Sequence, residues 1–194
     1  YKKWNEPHDK SAYSRRFSLN DLPLKDLPFY ICDFLRQFIF QQFIPKNPLE
    51  IEPTLAGNYG ELRPNHFHAG IDLKTAGREG LNVLASANGY VSRIKISHWG
   101  YGKAIYVTHP NGYTTVYAHV QKFNDRIETY LKDHQYKKES FEIELFPLAS
   151  DLPISKGEII AFSGSTGGFS GPHLHFEMWR KGIPINPETF FSFE

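Results

Sequence analysis

Between Gly89 and His119 the chain reads as short runs of alternating apolar and polar side chains, each closed by a turn signal. The runs are Gly89-Tyr-Val-Ser-Arg-Ile-Lys-Ile, then Gly100-Tyr-Gly, Lys103-Ala-Ile-Tyr-Val-Thr, Pro110-Asn-Gly and Tyr113-Thr-Thr-Val-Tyr-Ala-His. A period of two in β-branched and aromatic residues marks half-buried strands, so a β-meander is expected. Asn111-Gly112 is a favoured hairpin turn because both central residues tolerate positive φ. The flanking strands should therefore pair antiparallel and carry His119 to the far end of the second. Val116, Ala118 and Val120 are expected to face a core, leaving His119 on the face of Thr115 and Tyr117.

Residues 122 to 139 break the rhythm. Ile127, Tyr130, Leu131 and His134 recur at helical steps among charges, which predicts a helical insertion, before Phe141, Ile143 and Leu145 alternate as a strand. Lys156-Gly-Glu-Ile-Ile-Ala-Phe-Ser-Gly predicts a further strand, leading through a glycine-rich loop into His173-Leu-His175-Phe-Glu-Met-Trp. Ahead of the β region, Ile31, Phe34, Leu35, Phe38 and Ile39 lie on one helical face, predicting an amphipathic helix over 27–43. That helix either packs on the domain or serves as a membrane-surface or partner contact. Residues 1 to 20 are polar without period and are expected to be a mobile terminus. Pro45 to Pro53 reads as an extended linker. The expected division is an N-terminal extension over 1–50 and a single β domain over 51–194.

Composition supports a turn-rich β protein, with 13 Pro, 15 Gly and 11 Tyr against one Met. The 22 lysines and arginines nearly balance 21 acids, so no strong field favours nucleic acid or an anionic membrane, and function must reside in a local site. The one cysteine, Cys32, allows no intramolecular disulfide. The most apolar stretch, Phe29 to Phe40, is interrupted by Asp33, Arg36 and Gln37 and falls short of a membrane span, so no transmembrane segment is expected.

The chemistry lies in the histidines. Alternation places His173, His175, Glu177 and Trp179 on one face of the last long strand, with Leu174, Phe176 and Met178 on the core side. Two imidazoles are thus presented together, spaced so that one can bind a metal while the other meets a metal-bound water. His66-Phe-His68-Ala-Gly-Ile-Asp72 adds an imidazole and a carboxylate, both ordinary zinc ligands, although His66 and His68 share a face in an extended segment and the residues alone do not choose between them. Tyr117-Ala-His119 supplies another imidazole at a strand end. Two histidines and an aspartate would leave a fourth tetrahedral position open, as catalytic zinc requires, with the other histidines available for proton transfer.

Other chemistries fit poorly. Gly164-Ser-Thr-Gly-Gly-Phe-Ser-Gly lacks a following Gly-Lys-Ser/Thr and precedes a strand, which excludes a phosphate cradle and leaves a flexible turn beside the cleft. Ser163 and Ser165 lack a Gly-x-Ser-x-Gly elbow, and Cys32 has no readable nucleophile motif. Trp99, Tyr101, Tyr106 and Tyr113 are expected as packing residues of strands more than as substrate platforms.

His68-Ala-Gly-Ile-Asp72, Gly100-Tyr-Gly, Tyr117-Ala-His119 and Gly171-Pro-His-Leu-His-Phe-Glu177 follow one another in the order of the lysostaphin/LytM-type zinc endopeptidases, which cut bacterial cell-wall peptides, and the chain resembles that family from about Leu55 to Phe190. The resemblance implies a compact antiparallel β-sheet domain of the duplicated hybrid motif type. It also implies one Zn2+ held by His68, Asp72 and His175, a catalytic pair formed by His119 and His173, peptidoglycan peptides as substrate, and an extracytoplasmic location. Residues 1–44 match no part of that domain, and the insertion after His119 departs from it in a position to narrow the groove. The rival expectation is a catalytically silent member that binds cell wall or activates another hydrolase.

Overall fold

The computed structural model describes residues 45–64, 66–168, 171–191 and 193. The polar terminus, the amphipathic segment over 27–43 and Cys32 lie outside the described residues. The first strands are β1 (Leu55–Gly57), β2 (Leu62–Arg63), β3 (His66–Phe67), β4 (Ile71–Lys74) and β5 (Asn82–Leu84). The meander follows as β6 (Gly89–Ile96), β7 (Lys103–Thr108) and β8 (Tyr113–Ala118), then β9 (Lys122–Phe123) and helix α1 (Asp125–Lys138). The chain continues through β10 (Ile143–Leu145), β11 (Pro153–Ile154) and β12 (Ile159–Phe162) to β13 (His173–Arg180) and β14 (Ile183–Ile185).

The principal sheet runs in the order β1-β4-β13-β8-β7-β6-β10, with β11 pairing to β6 and β14 to β13, and its strand pairs are antiparallel. A small sheet, β5-β12-β9, and the hairpin β2-β3 complete the strands. Ile71, Leu73, Val91, Ile94, Ile105, Tyr117, Leu174, Phe176 and Met178 form one core with Val83 and Ile160 from the smaller sheet. The helix predicted within 122–139 is α1, capped by Asn124, whose Oδ1 accepts from the Ile127 amide at 2.9 Å. It buries Ile127 and Leu131 in the same core, two of the positions that its helical spacing singled out.

Three local readings differ. The β7–β8 turn forms where expected, but among the two central candidates only Gly112 has positive φ. Pro110 fixes a negative φ at the first turn position, so the His109 carbonyl accepts from the Gly112 amide in an ordinary turn and Gly112 then takes the left-handed step. The Pro45 to Pro53 stretch is built into this unit instead of standing clear of it. The Lys46 amide donates to Ser86 O, the Leu84 amide donates to Pro48 O, and buried Leu49 bridges Val83, because an apolar side chain between prolines gains more by entering the core than by solvation. Both faces of β8 are buried: Val116 and Ala118 enter a core as expected, a second cluster with Ala104 and Tyr106, and Val120 joins the main core, but Thr115 and Tyr117 are buried as well, with Tyr117 in the main core against Phe176.

Beneath the sheet, His109 is buried with Nδ1 2.8 Å from the Asn88 carbonyl and Nε2 2.9 Å from Thr115 Oγ1. Thr115 Oγ1 lies 3.0 Å from the Tyr117 hydroxyl, which accepts from the Ser86 amide. A neutral imidazole, donating from Nδ1 and accepting at Nε2, fits this chain. Burial pushes the His109 imidazole below its ordinary 6.5, against a smaller opposing effect of the Asn88 carbonyl. The unfolded chain therefore binds a proton that the folded chain resists. The stability contributed by the neutral ring is full above about pH 6.5 and falls as pH drops toward the depressed folded value. Chemical denaturation between pH 7.5 and 5 should show a steeper loss for the parent than for His109→Gln; equal slopes would remove this imidazole as the cause.

Candidate metal centre

Strands β4 and β13 lie side by side with Asp72 directly opposite His175, so their side chains emerge on the same face. Residues between His68 and Asp72 must pass close to β13. Gly70 makes this possible, since a Cβ there would stand 2.3 Å from the Phe176 carbonyl oxygen. His68 precedes β4 and is anchored through its backbone: its amide donates to Glu61 O at 2.9 Å and its carbonyl accepts from the Gly60 amide at 2.8 Å.

Three inner atoms converge. His68 Nε2 is 2.9 Å from His175 Nδ1 and 3.2 Å from Asp72 Oδ1, and the latter two atoms are 2.9 Å apart. Ligands about 2.0–2.2 Å from a shared tetrahedral centre stand about 3.3–3.6 Å from one another, so a small outward adjustment would accommodate zinc. The outer atoms are already held. His68 Nδ1–H donates to Asn58 O at 2.8 Å, His175 Nε2–H donates to Glu177 Oε1 at 2.8 Å, and Arg63 Nη2 donates to Asp72 Oδ2 at 2.9 Å. With its outer N–H so held, each imidazole would present its inner nitrogen to a metal once that nitrogen gives up its proton, the arrangement that outer partners of metal-bound histidines enforce.

His119 and His173 stand beside this triangle, with their ring centroids 4.7 Å apart. His173 Nδ1–H donates to Gly171 O at 3.0 Å, and its Nε2 is 3.8 Å from Asp72 Oδ1. His119 follows the end of β8 with φ of 59°, and this left-handed step turns its side chain onto the face of His175 despite the strand alternation that predicted the side of Tyr117. Its Nδ1–H donates to Thr166 O at 2.9 Å, a contact supplied by the glycine-rich loop.

All of His68, Asp72, His119, His173 and His175 line one cleft, with Arg63, Pro64, His66, Gly100 and Tyr101 completing the wall. His66 is exposed on the rim, whereas His68, just past the end of β3 at Phe67, is buried with its Nε2 in the triangle. Tyr101 packs against the second cluster as expected and also lines the cleft, with its hydroxyl on Glu177 and its ring 5.1 Å from His175. Trp99 is exposed, whereas Tyr106 packs in the second cluster as expected. Sequence reasoning assigned no role to Asn58, Arg63, Thr166 or Glu177. Only Glu177 carried a signal, its place on the face of His175 by alternation.

The charges follow these contacts. Burial pushes the Asp72 carboxyl up, but hydrogen bonds with His175 and His68, and their attraction, outweigh it and hold the group well below the carboxylate range. Burial lowers His175, yet Asp72 and Glu177 on its two nitrogens push it up to about 9. Glu177 is raised by burial and lowered more by His175, Tyr101 and Trp179, so it is ionised. Burial, followed by the neighbouring His173 and His175, lowers His119 to about 4. His119 is therefore neutral at neutral pH, with Nε2 able to accept a proton.

The sequence model for peptidase family M23 matches residues 66–136 and 143–187. The chain is 35% identical over 121 residues to the DD-carboxypeptidase/endopeptidase Mpg of Neisseria meningitidis serogroup B, covering 62% of this chain and 22% of that protein. It is 32% identical over 118 residues to the murein hydrolase activator NlpD of Escherichia coli, covering 61% of this chain and 24% of that protein. The chain thus spans under a quarter of the length of either relative. Helicobacter pylori Csd3 superposes with a TM-score of 0.54 at 25% identity, over 78% of this chain and 34% of the other. The antiparallel β architecture and the ordered histidine motifs agree with the family resemblance read from the sequence, and the chain belongs to peptidase family M23.

Proposed function

We propose that this chain is a zinc metalloendopeptidase that hydrolyses peptide bonds in bacterial peptidoglycan, with His68, Asp72 and His175 as metal ligands and His119 and His173 as the catalytic pair. The observation that carries this reading is the convergence of His68 Nε2, His175 Nδ1 and Asp72 Oδ1, each with its outer atom already partnered, beside two further imidazoles in one cleft. Zinc held there would supply the Lewis acidity that activates water and polarises the scissile carbonyl.

The chain's own groups do the rest. His119 is neutral, and the Thr166 carbonyl holds its Nδ1 proton, so Nε2 is the atom that takes a proton from the attacking water. His173, whose Nδ1–H is fixed by the Gly171 carbonyl, stands beside His119 and steadies the developing negative charge when its Nε2 carries a proton, while the proton that His119 takes is the one passed to the leaving amine. The catalytic unit is residues 51–194 together with the Lys46–Leu49 edge packed against it, and its substrate places it outside the cytoplasm.

Similarity to an activator favours one other reading, a scaffold without cleavage. Mass spectrometry of muropeptides separates the two. Purified protein with one equivalent of zinc should release peptide-cleaved fragments from peptidoglycan, and a chelator should abolish release until zinc is restored. Normal zinc content with no new fragments would favour the scaffold; a parallel panel of ordinary peptides tests whether the substrate is the cell wall.

A further inference from the structure

The hairpin β2–β3 overhangs the cleft with Arg63 paired to His66, and both side chains line the wall. Arg63 Nη2 contacts two carboxylates, Asp72 Oδ2 at 2.9 Å and Glu61 Oε2 at 2.8 Å. Its Nε is buried and has no hydrogen-bond partner among the described residues. A guanidinium held with one donor unsatisfied is placed at some cost, and its contact with Asp72 is what that placement gains.

Gly57 supplies an independent observation. A register shift in β1 sets it opposite Asp72, and a Cβ there would stand 2.5 Å from Arg63 Nη2, 2.7 Å from Asp72 Oδ2 and 3.2 Å from Glu61 Oε2. Its φ is not in the left-handed region, so the backbone itself would accept alanine. The space is reserved for the ion pair.

We infer that Arg63 is a positioning residue for the metal site: it holds Asp72 Oδ2 outward so that Oδ1 alone faces the imidazoles, and it ties metal affinity to the seating of the β2–β3 hairpin. This rests on the zinc-site reading above. A carboxylate free to rotate would lose the single-oxygen geometry that the two imidazoles require, and hairpin contacts made at Asp72 would be strengthened whenever the metal is bound.

The test is zinc affinity by chelator competition, with unfolding midpoints of the zinc-free proteins measured alongside. Arg63→Ala should bind zinc about 10- to 100-fold more weakly. Arg63→Lys should fall between it and the parent, because an ammonium keeps the charge but not the planar fork. Gly57→Ala should weaken zinc with Arg63 present, whereas Glu61→Gln, which alters the half-exposed partner, should stay within about fivefold of the parent. Zinc should also slow hydrogen exchange at the Gly60 and His68 amides in the parent more than in Arg63→Ala. Should Arg63→Ala not fold, Arg63→Lys and Gly57→Ala decide the matter. Parent-like zinc affinity in the Arg63 variants and Gly57→Ala, or equal protection by zinc, overturns the inference alone. A parent that binds no zinc overturns the reading beneath it.

Discussion

Replacing His119 with alanine should leave one equivalent of zinc bound while peptidoglycan cleavage falls about 10²-fold or more, whereas Asp72→Ala should lose both. The separation follows from geometry. Asp72 Oδ1 is a corner of the converging triangle, within 3.2 Å of both other corners, and removing it leaves two imidazoles and one fewer negative charge facing a divalent ion. His119 is not a corner; its Nδ1–H is committed to Thr166 and its ring centroid lies 5.7 Å from that of His175. Its backbone sits at φ 59°, so His119→Asn, a residue at ease in that conformation, is the companion variant that separates chemistry from strain. Zinc content by elemental analysis and initial rates of muropeptide release are the two measurements. Loss of zinc from both His119 variants would move His119 into the ligand set, and undiminished cleavage would remove it from the mechanism.

Why His119 was misplaced from the sequence illustrates what pattern reading resolves. Alternation holds only while the chain stays extended, and β8 ends at Ala118, one residue before the side chain that matters. A left-handed residue reverses the facing of everything beyond it. The same limit applied at His66 and His68, where β3 stops at Phe67 and only one of the two imidazoles turns inward. By contrast, β13 remains extended across His173 to Arg180, and Leu174, Phe176 and Met178 enter the main core while His173 and His175 line the cleft, as alternation predicts. The approach of Asp72 to His175, residues 103 positions apart, depends on which strands neighbour each other, and local periodicity carries no such information. Family order of motifs supplied the missing association. Asn58 and Thr166 contribute through backbone carbonyls, which any residue could provide, so no side-chain motif announces them.

Glu177 is where stability and chemistry meet, and Glu177→Ala should produce the largest loss of folding stability among the site variants. The carboxylate has no solvent exposure and accepts from His175 Nε2–H, Tyr101 O–H and Trp179 Nε1–H. Tyr101 and Trp179 are half-buried and can turn toward water, but His175 is not. Removing the acceptor leaves a buried imidazole N–H with no partner and leaves the elevated His175 without one of the two carboxylates that favour its charge. A loss of about 3 kcal/mol is expected in denaturant unfolding of the zinc-free protein. Zinc affinity should also fall, by about 10- to 100-fold, because an unanchored His175 no longer keeps Nδ1 aimed at Asp72 and His68. Glu177→Gln retains the shape and an acceptor oxygen but opposes its amide N–H to one of the donors, so it should lie between parent and alanine on both measurements. A Glu177→Ala protein as stable as the parent would mean that water replaces the carboxylate. A stability loss with unchanged zinc affinity would confine Glu177 to packing and leave Asp72 and the His68 anchor to orient the ligands without it.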